Sequence, residues 1–164
     1  MDRDHPTRIL GTPIQIAFVV RDVHQAAARF TSLFDVEPFG FEEWPPSGRP
    51  GFERIYRGKP AEYRAVLAFA RWGPLEVELI ENTEGDSDYA DHLRKRGQGV
   101  HHLLFEVDDL DETIRLFAEL GIGVTMSATG RRPGTRWVQF DTADLIGCCL
   151  EVRNRPQKQD VGRQ

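Results

Sequence analysis

Cysteine is scarce in this sequence of 164 residues: Cys148 and Cys149 are the two it has, and they are neighbours. Adjacent cysteines close an unstrained disulfide poorly, and the alternation of side chains along a strand turns them apart. We therefore expect both thiols to be reduced and to act as small apolar side chains, as is usual in a reducing compartment.

Long apolar runs and an excess of basic charge are also lacking. No run approaches the roughly 20 apolar residues of a membrane span, and the first ten residues have no apolar core like that of a signal peptide. The 21 basic and 26 acidic residues give a formal charge of −5. Because phosphate binding needs a basic face, this charge argues against a nucleic-acid partner. We expect a cytoplasmic protein, with residues 1–164 forming a single domain that binds neither nucleic acid nor membrane.

The same local pattern occurs twice, 87 residues apart, which is the main signal in the chain. Residues 14–23 align without gaps on residues 101–110, and each stretch has the apolar composition of a strand followed by a turn. Asp22 and Asp109, each followed three residues later by Gln or Glu, can cap the start of a helix. Later runs rich in β-branched and aromatic residues predict further strands at 63–70, 75–80, 136–140 and 148–152.

Each half of the chain therefore has the order strand, helix and three strands, which predicts an α+β fold of two tandem βαβββ modules. Their expected bounds are about 12–82 and about 99–153, with a linker helix at about 86–97 and a disordered tail at 154–164. The first module is longer by about 14 residues around 41–60. This surplus is either a tolerated surface insertion or a segment that closes over a ligand.

Four polar residues occupy matching positions in the two modules. Gln15 and His102 lie at equivalent points of the first strands, while Glu78 and Glu151 lie near the ends of the later apolar strands. Two carboxylates inside apolar strands cost several kcal/mol unless a cation or hydrogen bonds compensate them. By strand alternation, the neighbouring His101 is expected to point the opposite way.

The segments GVHHLLFEVDDL (99–110) and VELIE (77–81) resemble those of the vicinal oxygen chelate superfamily. This family includes glyoxalase I (lactoylglutathione lyase), methylmalonyl-CoA epimerase, extradiol dioxygenases and bleomycin-resistance binding proteins, and epimerase and glyoxalase I are the most similar. The resemblance covers about residues 13–153 and implies an open, cup-shaped mixed sheet and a homodimer. It also implies a divalent metal ion, Zn, Ni, Co or Mn, with four ligands: Gln15, Glu78, His102 and Glu151. Epimerases usually have histidine at the first position, whereas glutamine resembles the ligand set of some eukaryotic glyoxalase I enzymes.

The resemblance further implies a metal-dependent lyase or isomerase that abstracts a proton next to a carbonyl through a chelated enediolate or enolate. Glu151 is the preferred catalytic base and Glu78 the second choice. The substrate would be a thioester or a 2-oxo or hemithioacetal compound. The strand at 63–70 has no obvious glutamate for a second epimerase acid, and Val19 stands where bacterial glyoxalases carry an arginine. The alternative is a metal-free protein of the same fold that sequesters a small molecule.

Four arginines are candidates for holding an anionic substrate, although surface solvation is their default role: Arg71, Arg131, Arg132 and Arg136.

Overall fold

The computed structural model describes residues 10–156, so residues 157–164 of the expected tail lie outside the described residues. The first module and the insertion contain β1 (Gln15–Val19), α1 (Val23–Phe34), β2 (Gly40–Trp44), β3 (Arg54–Tyr56), β4 (Lys59–Pro60), β5 (Arg64–Trp72) and β6 (Leu75–Glu84). The rest contains α2 (Asp88–Arg96), β7 (Gly99–Val107), α3 (Leu110–Glu119), β8 (Val124–Thr129), β9 (Arg136–Phe140), α4 (Ala143–Ile146) and β10 (Cys149–Asn154). Strand β10 thus takes in Asn154, the first residue of the segment that was expected to be a disordered tail.

The helices begin where the sequence places their caps. The Asp22 side chain accepts a hydrogen bond from the Gln25 backbone N–H, and Asp109 accepts one from Glu112, both at 2.8 Å. Each bond satisfies one of the free N–H groups of the first helical turn. Helix α2 ends at Arg96 and is capped by Gly97, whose φ of 78° favours glycine.

The ten strands within residues 10–156 form one mixed sheet in the order β2-β5-β6-β1-β7-β10-β9-β8-β3-β4. Strands β1 and β7 pair antiparallel at the centre, and each has a parallel neighbour from its own module, β6 and β10. The predicted α+β fold, two βαβββ modules in one open, cup-shaped mixed sheet, is confirmed. Among residues 10–156, no helix is long and apolar enough to cross a membrane.

The insertion in the first module joins the two edges of the cup. Strand β2 lies at one edge, whereas the β3–β4 hairpin pairs antiparallel with β8 near the other. Residues 45–53 therefore run from one edge to the other. Trp44, at the start of this run, packs on Phe52 and Trp137, with ring centroids 4.8 Å and 6.3 Å away.

The two faces of the sheet have different cores. Helix α1 packs on one part of the outer face and helix α3 on another, where Phe117 stacks on Phe140 with ring centroids 3.9 Å apart. The inner face carries an aromatic cluster that includes Trp44, Tyr63 and Trp137. Because α1 and α3 cover the outer face, the concave face is left for a site.

Candidate functional site

Strand register brings three of the predicted ligands to one part of the inner face. Ala17 on β1 lies opposite Glu78 of β6 on one side and opposite His102 of β7 on the other. Glu151 of β10 lies opposite Leu104, two residues beyond His102. A step of two residues keeps a side chain on the same face of a strand, so all three side chains point into the cup.

The imidazole of His102 lies within reach of both carboxylates. Its Nε2 is 3.5 Å from Oε2 of Glu78 and 3.3 Å from Oε2 of Glu151. All three residues are buried, with exposed fractions of 1% for His102 and 7% for each glutamate. Burial raises the pKa of Glu78 to about 8, raises the pKa of Glu151 and lowers the pKa of His102. In the absence of a cation the site therefore favours protonated carboxyls and a neutral imidazole.

Gln15, the fourth predicted ligand, is buried and lines the same cavity as Glu78 and Glu151. Its Nε2 donates to Oε1 of Glu76 at 2.6 Å. Because the amide N–H₂ group is engaged there, the amide oxygen is the atom left for another partner. The structure thus places Gln15, Glu78 and Glu151 around one cavity, and His102 contacts the two glutamates from within the sheet.

The donor set fits a borderline divalent ion. Within residues 10–156, Nε2 of His102 is buried without a hydrogen-bond partner, although two carboxylates lie close to it. A buried polar atom of this kind costs free energy unless something binds it. One imidazole nitrogen with carboxylate and amide oxygens is a set that Zn²⁺, Ni²⁺, Co²⁺ or Mn²⁺ accepts.

His101 does not point away from His102, so the expectation from strand alternation is wrong at this position. The register between β1 and β7 shifts here: Ala17 lies opposite His102, but Phe18 lies opposite Val100. His101 is the extra residue of a β-bulge, which breaks the alternation. Its Nδ1 lies 3.0 Å from Nδ1 of His102, and both side chains are fully buried.

Behind the two histidines lies a second cluster, formed by Asp88, His101 and Cys149. Nε2 of His101 is 3.2 Å from Oδ2 of Asp88, with a bent geometry, and Sγ of Cys149 is 3.4 Å from the same oxygen. One ligand atom from each residue lies within 4.8 Å of the others. Burial would raise the pKa of Asp88, but the His101 and Cys149 contacts outweigh it and lower the pKa. Burial raises the pKa of Cys149, which keeps the thiol protonated.

Gln139 belongs to the site but was missed from the sequence. It is fully buried on β9 opposite Glu151, and its Nε2 donates to Oε2 of Glu151 at 2.8 Å. The same nitrogen lies 3.4 Å from the Tyr89 hydroxyl and 3.4 Å from Nδ1 of His102. The available signal was a single amide in the otherwise apolar run from Trp137 to Phe140.

The cavity beside these residues is small, about 50 Å³, and has aromatic walls. At its mouth the guanidinium of Arg131 lies 3.6 Å from the ring centroid of Phe69. Nε of Arg131 donates to Oε2 of Glu42 on β2 at 2.9 Å. Arg131 and Arg132 line the cavity, whereas Arg136 forms an ion pair with Asp111 on the surface.

Comparison with known proteins identifies the family. A model of the Glyoxalase/Bleomycin resistance protein/Dioxygenase superfamily matches residues 14–140. The chain belongs to this superfamily. The resemblance seen in the sequence is therefore confirmed, and it agrees with the cup-shaped sheet.

Solved structures of this superfamily fold are similar over nearly the whole chain. A hypothetical protein from Bacillus halodurans has a TM-score of 0.67 at 20% identity, covering 91% of this chain and 97% of that one. Methylmalonyl-CoA epimerase from Streptomyces coelicolor has a TM-score of 0.63 at 20% identity, covering 90% and 96%. The epimerase from Mycobacterium tuberculosis has 0.60 at 18%, covering 92% and 91%. At these identities the likeness concerns the fold alone.

The uncharacterized protein YqjC of Bacillus subtilis is 30% identical over 69 residues, which are 42% of this chain. The match spans 49% of the length of that relative.

Proposed function

We propose that this superfamily member is a divalent-metal-dependent lyase or isomerase that moves a proton at a carbon next to a carbonyl group. The observation that carries the proposal is the buried Nε2 of His102, which has no hydrogen-bond partner among the described residues and lies 3.5 Å and 3.3 Å from the carboxylates of Glu78 and Glu151. Two buried acids and a neutral imidazole are an expensive arrangement for a purely structural core. Such arrangements are typical of functional sites.

Gln15, Glu78, His102 and Glu151 would hold the ion, with Zn, Ni, Co and Mn as the candidates. A bound divalent ion supplies Lewis-acid stabilisation of negative charge on the carbonyl oxygen, worth several kcal/mol. The carboxylates offset the charge of the ion, and the ion in turn relieves the cost of burying them. Gln15 adds a neutral oxygen donor.

Glu151 is the proposed base, and Glu78 is the second choice. Burial raises the pKa of both groups, which makes each carboxylate a stronger base than an exposed one. The Gln139 amide donates to Oε2 of Glu151 at 2.8 Å and so orients its carboxylate. The other oxygen of Glu151 is left to take the proton.

The cavity favours a substrate whose reacting end is small. Its volume of about 50 Å³ corresponds to a few water molecules, so the bulk of a thioester or hemithioacetal would extend past the mouth. There, Arg131 offers positive charge to an anionic group, although a substrate would have to compete with Glu42. One epimerase of this fold is known in complex with methylmalonyl-CoA, which makes this thioester a first compound to test. A homodimer stays a prediction.

The test is proton exchange in D₂O. Metal-loaded protein is incubated with methylmalonyl-CoA and with the hemithioacetal of glutathione, and deuterium at the carbon beside the carbonyl is followed by NMR. We expect exchange with one of these compounds, a loss of about 100-fold or more in Glu151→Gln, and no loss in the control Glu84→Gln, an exposed residue on β6. Exchange that survives in Glu151→Gln would exclude this residue as the base.

A metal-free binding protein is the second candidate, because Trp44, Phe69 and Trp137 give the cavity walls suited to an apolar guest. Metal analysis separates the two. Purified protein without a stoichiometric divalent ion, and without a gain in Tm when ions are added, would favour the binding protein.

A further inference from the structure

The contact between the two histidines restricts where their protons can be. Nδ1 of His101 and Nδ1 of His102 are 3.0 Å apart in a fully buried setting. Two lone pairs or two N–H groups would repel each other at this distance, so one proton lies between the two nitrogens. A neutral imidazole has one N–H group. The position of that proton therefore decides which outer nitrogen, Nε2 of His101 or Nε2 of His102, carries a lone pair.

In the first arrangement Nδ1 of His102 holds the proton and donates it to His101. Nε2 of His102 then has a lone pair directed into the cup, where an ion could bind it. Nε2 of His101 carries the other proton, 3.2 Å from Oδ2 of Asp88, and this carboxylate can accept it.

In the second arrangement Nδ1 of His101 holds the proton. The lone pair on Nε2 of His101 would then face the Asp88 carboxylate at 3.2 Å, which is repulsive. Nε2 of His102 would carry a proton and could bind no ion. A protonated glutamate of the cup would donate to Nε2 of His102 and favour the first arrangement, whereas an ionised glutamate would accept from His102 and favour the second. Asp88 opposes it.

We propose that Asp88, acting through His101, is a positioning residue that selects the tautomer of His102 whose Nε2 can bind the metal ion. The inference rests on the proposed metal site. Asp88 begins α2 and accepts from the Cys149 thiol at 3.4 Å, so its carboxylate is held in place. The Gln139 amide nitrogen lies 3.4 Å from Nδ1 of His102. It can give its two N–H groups to Glu151 at 2.8 Å and to the Tyr89 hydroxyl at 3.4 Å, so it is compatible with a proton on that Nδ1. Carboxylate partners that fix the tautomer of a metal-binding histidine are common in metalloproteins.

The same atoms make metal binding by the second cluster incompatible with metal binding by His102 in the cup. If Asp88, His101 and Cys149 bound an ion themselves, His101 would need its lone pair on Nε2. The shared proton would then place N–H on Nε2 of His102 and remove it from the ligands of the cup. With neutral imidazoles, one site or the other can be filled.

The experiment is a titration of Zn²⁺ into the metal-free protein, followed by calorimetry. We expect Asp88→Leu to weaken binding about 10- to 100-fold. Asp88→Asn should lose less, because its amide can accept from His101 but also serves the other tautomer. Cys149→Ala removes a hydrogen bond to Asp88 but no atom of the proton chain, so its affinity should fall far less than that of Asp88→Leu. Asp88→Asn also keeps the shape of the side chain, which tests the inference if Asp88→Leu does not fold.

Imidazole nitrogen spectra of the metal-free protein give a second readout that needs no metal. We expect N–H at Nδ1 of His102 in the wild type, and a shift to Nε2 in Asp88→Leu. Unchanged affinity and tautomer in the Asp88 variants would overturn the inference. A thiolate absorption band that appears when Co²⁺ binds and disappears in Cys149→Ala would also overturn it, because the second cluster would then be the metal site. If the wild type binds no ion, the proposed function fails, but the tautomer spectra still decide whether Asp88 controls His102.

Discussion

Burial of Glu78 should make the metal-free protein less stable as the pH rises. The pKa of this carboxyl is raised from 4.5 to about 8 by burial in the folded state. Between these values the folded protein holds a proton that the unfolded chain has released. Stability is therefore full below the unfolded pKa and falls as the pH rises toward the folded pKa.

The size of the effect follows from the gap between 4.5 and about 8. At about 1.4 kcal/mol per pKa unit, the loss approaches about 5 kcal/mol above pH 8 and is about 3 kcal/mol at pH 7. Such a loss is a large part of the roughly 5–15 kcal/mol that stabilises a typical domain. A divalent ion bound by the carboxylate would cancel it.

The assay is urea unfolding of wild type and Glu78→Gln, in the presence of a chelator, between about pH 5 and pH 8. The amide does not titrate, so the variant should become the more stable protein as the pH rises, by about 3 kcal/mol at neutral pH. Glu84→Gln on the exposed end of β6 should keep the wild-type profile. Parallel profiles for wild type and Glu78→Gln would refute the reasoning, because the buried carboxyl would then not be the source of the pH dependence.

Two further predictions concern stability alone. Gly85 has a φ of 74°, and a Cβ there would meet a backbone oxygen at 2.4 Å, whereas Gly73 has a φ of 61° and a Cβ there would meet open space. Gly85→Ala should therefore lower the free energy of unfolding by at least about 2 kcal/mol more than Gly73→Ala. Equal losses in urea unfolding would contradict this. Phe117→Ala removes the ring stacked on Phe140 and should lower the free energy of unfolding by about 3–5 kcal/mol. Leu120 is half exposed, so Leu120→Ala should lower it much less. Similar losses of Tm in the two variants would argue against the packing of α3.

Much of the fold could be predicted because its signals are local. Asp22 and Asp109 cap helices at matching points of the repeat, and the apolar runs after those helices form strands. The repeat also predicted that Glu78 and Glu151 occupy matching positions in the two modules. These features depend on spacing within a few residues, so one sequence is enough to detect them.

The insertion and the bulge could not be predicted in the same way. The β3–β4 hairpin pairs with β8, a partner that exists only once the second module has placed its edge strand. The bulge at His101 follows from the register of β7 against β1, which involves residues far apart in the chain. Gln139 enters the site because β9 pairs with β10, and its spacing alone gave no partner.

The amino-acid sequence by itself determined the duplicated α+β architecture, the superfamily and the polar residues of the inner face. The repeat, the helix caps and the strand alternation can each be recognised within short segments of the sequence. Tertiary structure decided how those residues meet: the bulge turns His101 toward His102, and α2 places Asp88 beside it. Such contacts depend on strand register and helix docking between distant segments, and these are set only when the whole sheet assembles.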